Sequence, residues 1–236
     1  MLYHYGEGTN INEMKENTTV AILRCEHVSK TFPQGNVQAV KDADLEFNEG
    51  IHIIMGKSGS GKSTLLHILG SLERPSSGKV FYLDYDLYKY TDLEDIRKNH
   101  FGFIFQAYNL IPEVNVKDNI MMPNYISGRR NRERFESLVE RLGLTKQLKQ
   151  MPETLSGGEQ QRAAIARALM NEPKVIFADE PTGNLDEENK DRVMELLAES
   201  CREYGAMLIM VTHESEHLKF ADHTYFMKDG VIEITK

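Results

Sequence analysis

Eight consecutive residues, Gly56-Lys-Ser-Gly-Ser-Gly-Lys62-Ser63, combine three glycines with a lysine and a hydroxyl at each end of the chemistry that phosphate needs. Glycines at this density let the backbone wrap tightly, so that successive N–H groups point at one spot and receive anionic oxygens. The spacing is G-x-x-x-x-G-K-[ST], in which the lysine neutralises β- and γ-phosphate charge and the hydroxyl joins Mg²⁺. Gly56, Lys57, Ser58, Gly59, Ser60, Gly61, Lys62, Ser63 and Thr64 are therefore expected to cradle the phosphates of a nucleotide. Downstream, Asp179-Glu180 follows the apolar run over residues 175–178. Here one carboxylate can hold Mg²⁺ through water while its neighbour orients an attacking water. An isolated Asp-Glu pair is usually just the polar start of a loop, and the glycine-rich turn upstream is what gives this one chemical meaning.

A third stretch, Leu155-Ser-Gly-Gly-Glu-Gln-Gln-Arg162, reads locally as a helix start, because Ser156 and Glu159 have capping-box spacing before a strongly helix-forming run. Two glycines just inside a helix cost about 1 kcal/mol each relative to alanine, so exposed backbone N–H groups are expected to be wanted there. Such a terminus suits a second anion contact.

The elements that must position these residues follow from alternation. Short β-branched runs over residues 51–55, 175–178 and 208–211 read as buried strands, and helix-length amphipathic segments separate them. Each run leads into polar residues, where an open α/β sheet places its ligand site. The turn at Gly56 lies between such a strand and a helical run over residues 64–72, the context its chemistry requires. From Gly102 to Leu155 the strand pattern is expected to fade, and residues 129–143 carry Phe135, Leu138, Val139 and Leu142 at helical spacing, so an inserted helical lobe is expected at about 107–155. Tyr82, Tyr85, Tyr88 and Tyr90 fit a half-exposed strand pair better than a base-stacking platform.

Bulk properties set outer limits. A chain of 236 residues fits one large domain, or one domain with an inserted lobe, and a formal net charge of −8 argues against nucleic acid as the main partner. Cys25 and Cys201 have neither disulfide-scaffold nor zinc spacing. No apolar run approaches the roughly 20 residues that span a bilayer, so a membrane role would need another chain. Residues 1–20 are polar and acidic, unlike a secretory signal, and are expected to form a loose tail ahead of a domain over residues 21–236.

Residues 155–162, followed by the strand ending at Asp179-Glu180, resemble the signature of the ABC family of ATP-binding cassettes, over about residues 21–236. The resemblance implies an α/β P-loop NTPase (RecA-like) fold, with a mostly parallel sheet, an antiparallel β subdomain and an inserted α-helical subdomain. It implies an ATP-dependent homodimer or pseudo-dimer, with ATP held between the P-loop of one copy and Ser156, Gly157, Gly158 and Glu159 of the other. It also assigns Gln106 to a Q-loop and a metal contact, Asn184-Leu-Asp186 to a D-loop, and His213 to a switch histidine at the γ-phosphate. Phe32 stands where the family has an adenine-stacking aromatic, and Val40 falls beside the nucleotide. Glu180, His213 and Gln106 become the catalytic set, with Ser63, Gln106 and Asp179 toward Mg²⁺.

Wording at residues 64–72, 103–110 and 183–186 is similar to the branch of macrolide exporters, lipoprotein-release ATPases and FtsE-like proteins. That likeness implies an integral-membrane permease with a large extracytoplasmic domain, docking near residues 106–119, and a chain held at the inner face of the cell membrane. Asp118 departs from a glutamate common in that branch. The rival is an ABC ATPase with no membrane partner, of the iron–sulfur assembly type. His213-Glu-Ser-Glu-His217 also satisfies H-E-x-x-H, but it directly follows a strand, whereas a zinc-protease pair belongs within a helix.

Overall fold

A computed structural model describes residues 21–89 and 92–234; the expected tail over residues 1–20 and Tyr90 lie outside the described residues. The strands are β1 (Leu23–Phe32), β2 (Val37–Phe47), β3 (Ile51–Met55), β4 (Ser77–Tyr82), β5 (Tyr85–Asp86), β6 (Phe101–Phe105), β7 (Val175–Asp179), β8 (Met207–Thr212), β9 (His223–Lys228) and β10 (Val231–Ile234). Six of them form one sheet in the order β10-β9-β3-β8-β7-β6, parallel throughout except for the β9–β10 hairpin. The other four form an antiparallel sheet, β2-β1-β4-β5.

The parallel strands are apolar at nearly every position because both faces of their sheet are covered. Alternate side chains sort into two cores: Ile51, Ile53, Leu208 and Met210 face one, while Ile54, Met207, Ile209 and Val211 face the other. The second core is closed by the small sheet, by α1 (Lys62–Leu69) and by Ile96 of α2 (Leu93–His100). The first is closed by α3 (Val116–Ser127), α4 (Arg132–Arg141), α5 (Gly157–Leu169) and α6 (Glu187–Glu203). Asn115, Asn131, Ser156 and Asp186 each accept a backbone N–H at the start of a helix on this side, at about 1 kcal/mol per cap.

The strand pattern does not fade at Gly102. Strand β6 continues to Phe105, and Gly102 is needed there because a side chain would strike Ile176 and the backbone of Ala168. The segment beyond it is pinned by buried Asn119, whose amide nitrogen donates to the carbonyls of Ile111 and Val114 and whose oxygen accepts from the Ile111 N–H. The described tyrosines serve structure: Tyr82 packs edge-on to Phe101, and the Tyr88 hydroxyl meets the carbonyls of Ile68 and Glu73. Cys25 and Cys201 are buried, and burial pushes both thiols up to about 12. Among the described residues no helix is long and apolar enough to cross a membrane.

Candidate functional site

The turn between β3 and α1 closes around a ring of tight contacts. Gly61 sits at φ +103°, and a side chain there would strike the Ala39 carbonyl, while one on Gly56 would strike the Met227 carbonyl. Gly61 is also the residue before α1, and no side chain caps that helix. Its first N–H groups therefore face outward as donors. Lys62 is buried and folds back, its ammonium donating to the carbonyls of Gly56 (2.8 Å) and Lys57 (3.1 Å). Burial lowers its pKa from the ordinary lysine value, and the nearby Glu180 and Asp179 oppose that shift.

Adjacent parallel strands bring the acids to the same rim. The Ser63 hydroxyl donates to Asp179 Oδ1 at 2.8 Å, and Glu180 Oε1 lies 4.0 Å from the Lys62 ammonium. Glu180 has φ +44°, a left-handed backbone that costs a non-glycine residue about 1 kcal/mol, with its N–H donating to the Val211 carbonyl. Its Oε2 is 2.9 Å from Nδ1 of His213, at the end of β8. Lys57, Ser58, Ser63, Gln106, Asp179, Glu180 and His213 line one cleft of about 690 Å³, large enough for a triphosphate with a cation. Its oxygen-rich donors, Ser63 and Asp179, are the kind a hard divalent cation selects.

The other expected residues relate to this cleft in different ways. Gln106 lines it but also donates to Asn184 Oδ1 (3.4 Å), while the Asn184 amide donates to the Gln106 carbonyl (2.8 Å), so the two loops are tied together. Asp186 caps α6 by accepting the Asn189 N–H. Thr64 is half-buried on α1. Phe32 lies at the end of β1 with the Lys30 ammonium 5.0 Å above its ring, and it does not line the cleft. Val40, expected beside the nucleotide, is instead fully buried in the core against the helix and sheet, and has no free side-chain surface to offer.

Ser156 lies outside the cleft, at the start of α5. Its N–H and hydroxyl both donate to Glu159 Oε2 (2.8 and 2.9 Å), while Gln147 donates to Oε1. These bonds, the Ser156 N–H foremost, hold the Glu159 carboxyl below the usual range. The two glycines have a further reason beyond exposed N–H groups, since a side chain at 157 would meet the Tyr108 hydroxyl and one at 158 the Asn189 amide.

The zinc-like spacing does not assemble. His213 turns to Glu180, whereas His217 is buried and faces Glu214 at 3.1 Å. The one group of three potential ligands among the described residues is exposed His27, Asp42 and Asp44, far along the chain from that motif. Three cleft neighbours, Met55, Phe226 and His67, lie outside the set expected from the sequence. Phe226 lines the cleft because β9 places it beside Met55, a register that only the sheet reveals. His67 stands 3.3 Å from Asp179, and its signal was present as the i, i+4 spacing from Ser63.

A family profile described as ABC transporter matches residues 40–183. The chain is 42% identical to the lipoprotein-releasing system ATP-binding protein LolD of Shewanella frigidimarina (strain NCIMB 400), covering 92% of this chain and 94% of that one. It is 44% identical to LolD of Rickettsia bellii (strain RML369-C), covering 91% and 98%. Among solved structures, the dimeric structure of MJ0796, a bacterial ABC transporter cassette, is similar with a TM-score of 0.81 at 35% identity, over 91% of this chain and 99% of that chain. A post-hydrolysis dimer of the same cassette bound to ADP and Pi matches equally, with a TM-score of 0.81 at 34% identity.

Proposed function

The chain belongs to the ABC transporter family as one of its ATP-binding, ATP-hydrolysing cassettes, and on that premise we propose that it drives a separate membrane permease of the lipoprotein-releasing type. What carries the proposal is a division within one chain. Ser63, Asp179, Glu180 and His213 converge on one cleft, with the Lys62 ammonium 4.0 Å from Glu180, whereas Ser156 presents its helix start elsewhere. A second copy, turned head to tail, supplies the missing wall.

In this reading the N–H groups of the glycine turn and of α1 receive the β- and γ-phosphates, and Lys62 leaves its own carbonyls to meet them. Mg²⁺ held by Ser63, Asp179 and Gln106 supplies charge neutralisation of the phosphate oxygens when bound. Glu180 accepts a hydrogen bond from the attacking water and aims it, and His213 braces Glu180 on its other oxygen. Residues 107–155 act as the lobe that meets the permease. Exposed Tyr125 and Ile126 on α3 offer apolar surface there, and the Gln106–Asn184 tie links the lobe to the loop before α6. The relatives' name points to lipoproteins as cargo, with the cassette held at the inner face of the membrane through its permease.

The test is Glu180→Gln. Phosphate release is expected to fall at least about a hundredfold while ATP induces a stable dimer on size exclusion. Unchanged steady-state turnover would refute the role of Glu180. Membranes solubilised with this variant and ATP should yield a co-purifying multi-span permease, and recovery of a soluble assembly complex in its place would favour the iron–sulfur type of ATPase.

A further inference from the structure

Asp179 is held from one side only by elements that the reading above already uses, and its second oxygen faces a residue with no assigned part. Helix α1 places Ser63 and His67 on one face, one turn apart. Ser63 donates to Asp179 Oδ1 at 2.8 Å, and His67 Nε2 lies 3.3 Å from Oδ2. The imidazole sits beside Phe105, 6.4 Å between ring centroids, and Phe105 is the β6 register partner of Asp179. Nε2 is buried and makes no hydrogen bond within the standard geometry, its approach to Oδ2 being short enough but off-line. A buried ring nitrogen without a partner is uncommon and calls for a physical reason.

A carboxylate fixed through one oxygen can still turn about its side-chain bonds, and contact at the other oxygen removes that freedom. Ser63 on Oδ1 and His67 against Oδ2 thus contact both oxygens of Asp179 from α1, while the residue lines the cleft. We propose that His67 is a positioning residue that sets the orientation of Asp179 for the divalent cation accompanying the nucleotide. The role rests on the reading of Asp179 as a metal-site residue. Partners that orient a metal-site carboxylate change metal affinity without touching the metal.

The experiment is titration of Mn²⁺, followed by its paramagnetic resonance signal, into full-length protein saturated with ADP. His67→Leu, which keeps bulk but offers no N–H, is expected to weaken Mn²⁺ binding roughly tenfold while leaving metal-free ADP affinity unchanged. His67→Gln, which restores a donor, is expected to recover most of that loss. If His67→Leu matches wild type while Asp179→Asn does not, the positioning role is wrong and the reading of Asp179 survives. Equal losses in the Leu and Gln variants would show a packing role alone and also overturn the proposal. If Asp179→Asn binds Mn²⁺ normally, the metal-site reading itself fails. Should the Leu variant not fold, His67→Ala replaces it under the same outcomes.

Discussion

The chain contains two glycine-rich helix starts, and they are finished differently. At α1 the residue before the helix is Gly61, no side chain caps it, and the lysine that follows is folded back onto carbonyls of its own loop. At α5 Ser156 and Glu159 complete a reciprocal capping box. The first terminus is left open, with a buried cation beside it, while the second is closed by a carboxylate of its own. At α1 the first N–H groups are thus free to meet an anion, whereas at α5 the Ser156 N–H and hydroxyl are already engaged by Glu159. In the proposed head-to-tail pair, the open terminus belongs to the chain that holds ATP, and the capped one is offered to the phosphate held by its partner.

Breaking the open terminus should have the largest effect. Lys62→Ala is expected to lower ATP turnover at least about a hundredfold, since the triphosphate loses its buried counter-charge. ATP binding by equilibrium dialysis should weaken in parallel, and intact binding would show that the backbone turn alone suffices. Next comes the closed terminus. Ser156→Arg should lower turnover about a hundredfold while leaving ATP binding to the single chain intact, so it parts from Lys62→Ala on binding. An equal mixture of the two variants contains dimers with one undamaged site, so it should regain turnover, up to about a quarter of wild type for random pairing. No recovery in the mixture would break the two-copy account.

The smallest effect concerns stability. The lowered pKa of Glu159 means that its stabilising contribution is complete above its ordinary value of 4.5 and is lost as pH falls through the lowered folded value. Glu159→Gln should therefore cost a few tenths of a kcal/mol at pH 7 in urea unfolding, given partial solvent screening, and nothing at strongly acid pH. A cost that persists in acid would mean the carboxylate acts through shape and not through charge. No corresponding acid-sensitive cap exists at α1.

Where chemistry coincides with a rigid local rule, the sequence was readable. The glycine turn, the strand leading to Asp179, and the capping box at Ser156 each need only a few neighbouring residues, and each stands where its spacing placed it. Long-range register was not readable in the same way. Phe226 reaches the cleft because β9 pairs with β3, and nothing near residue 226 announces that pairing. Val40 turns into the core because β2 packs into the same apolar cluster as Leu65 and Leu66 of α1, a tertiary contact that alternation alone does not orient. Strand β6 was hidden by Gly102, which lowers strand propensity yet is required by the close backbone of Ala168. His67 is marked only by its spacing from Ser63, a weak signal because a single histidine on a helix has many mundane uses.

The interior placement of both native thiols has a consequence for watching this molecule at work. Cys25 and Cys201 are shut away from solvent and held in the protonated form at neutral pH, so maleimide dyes and oxidants will pass them by. A label introduced on either rim of the cleft would then be the sole reporter on the chain, with no need to strip the natural cysteines first, and opening and closing could be followed in otherwise unaltered protein.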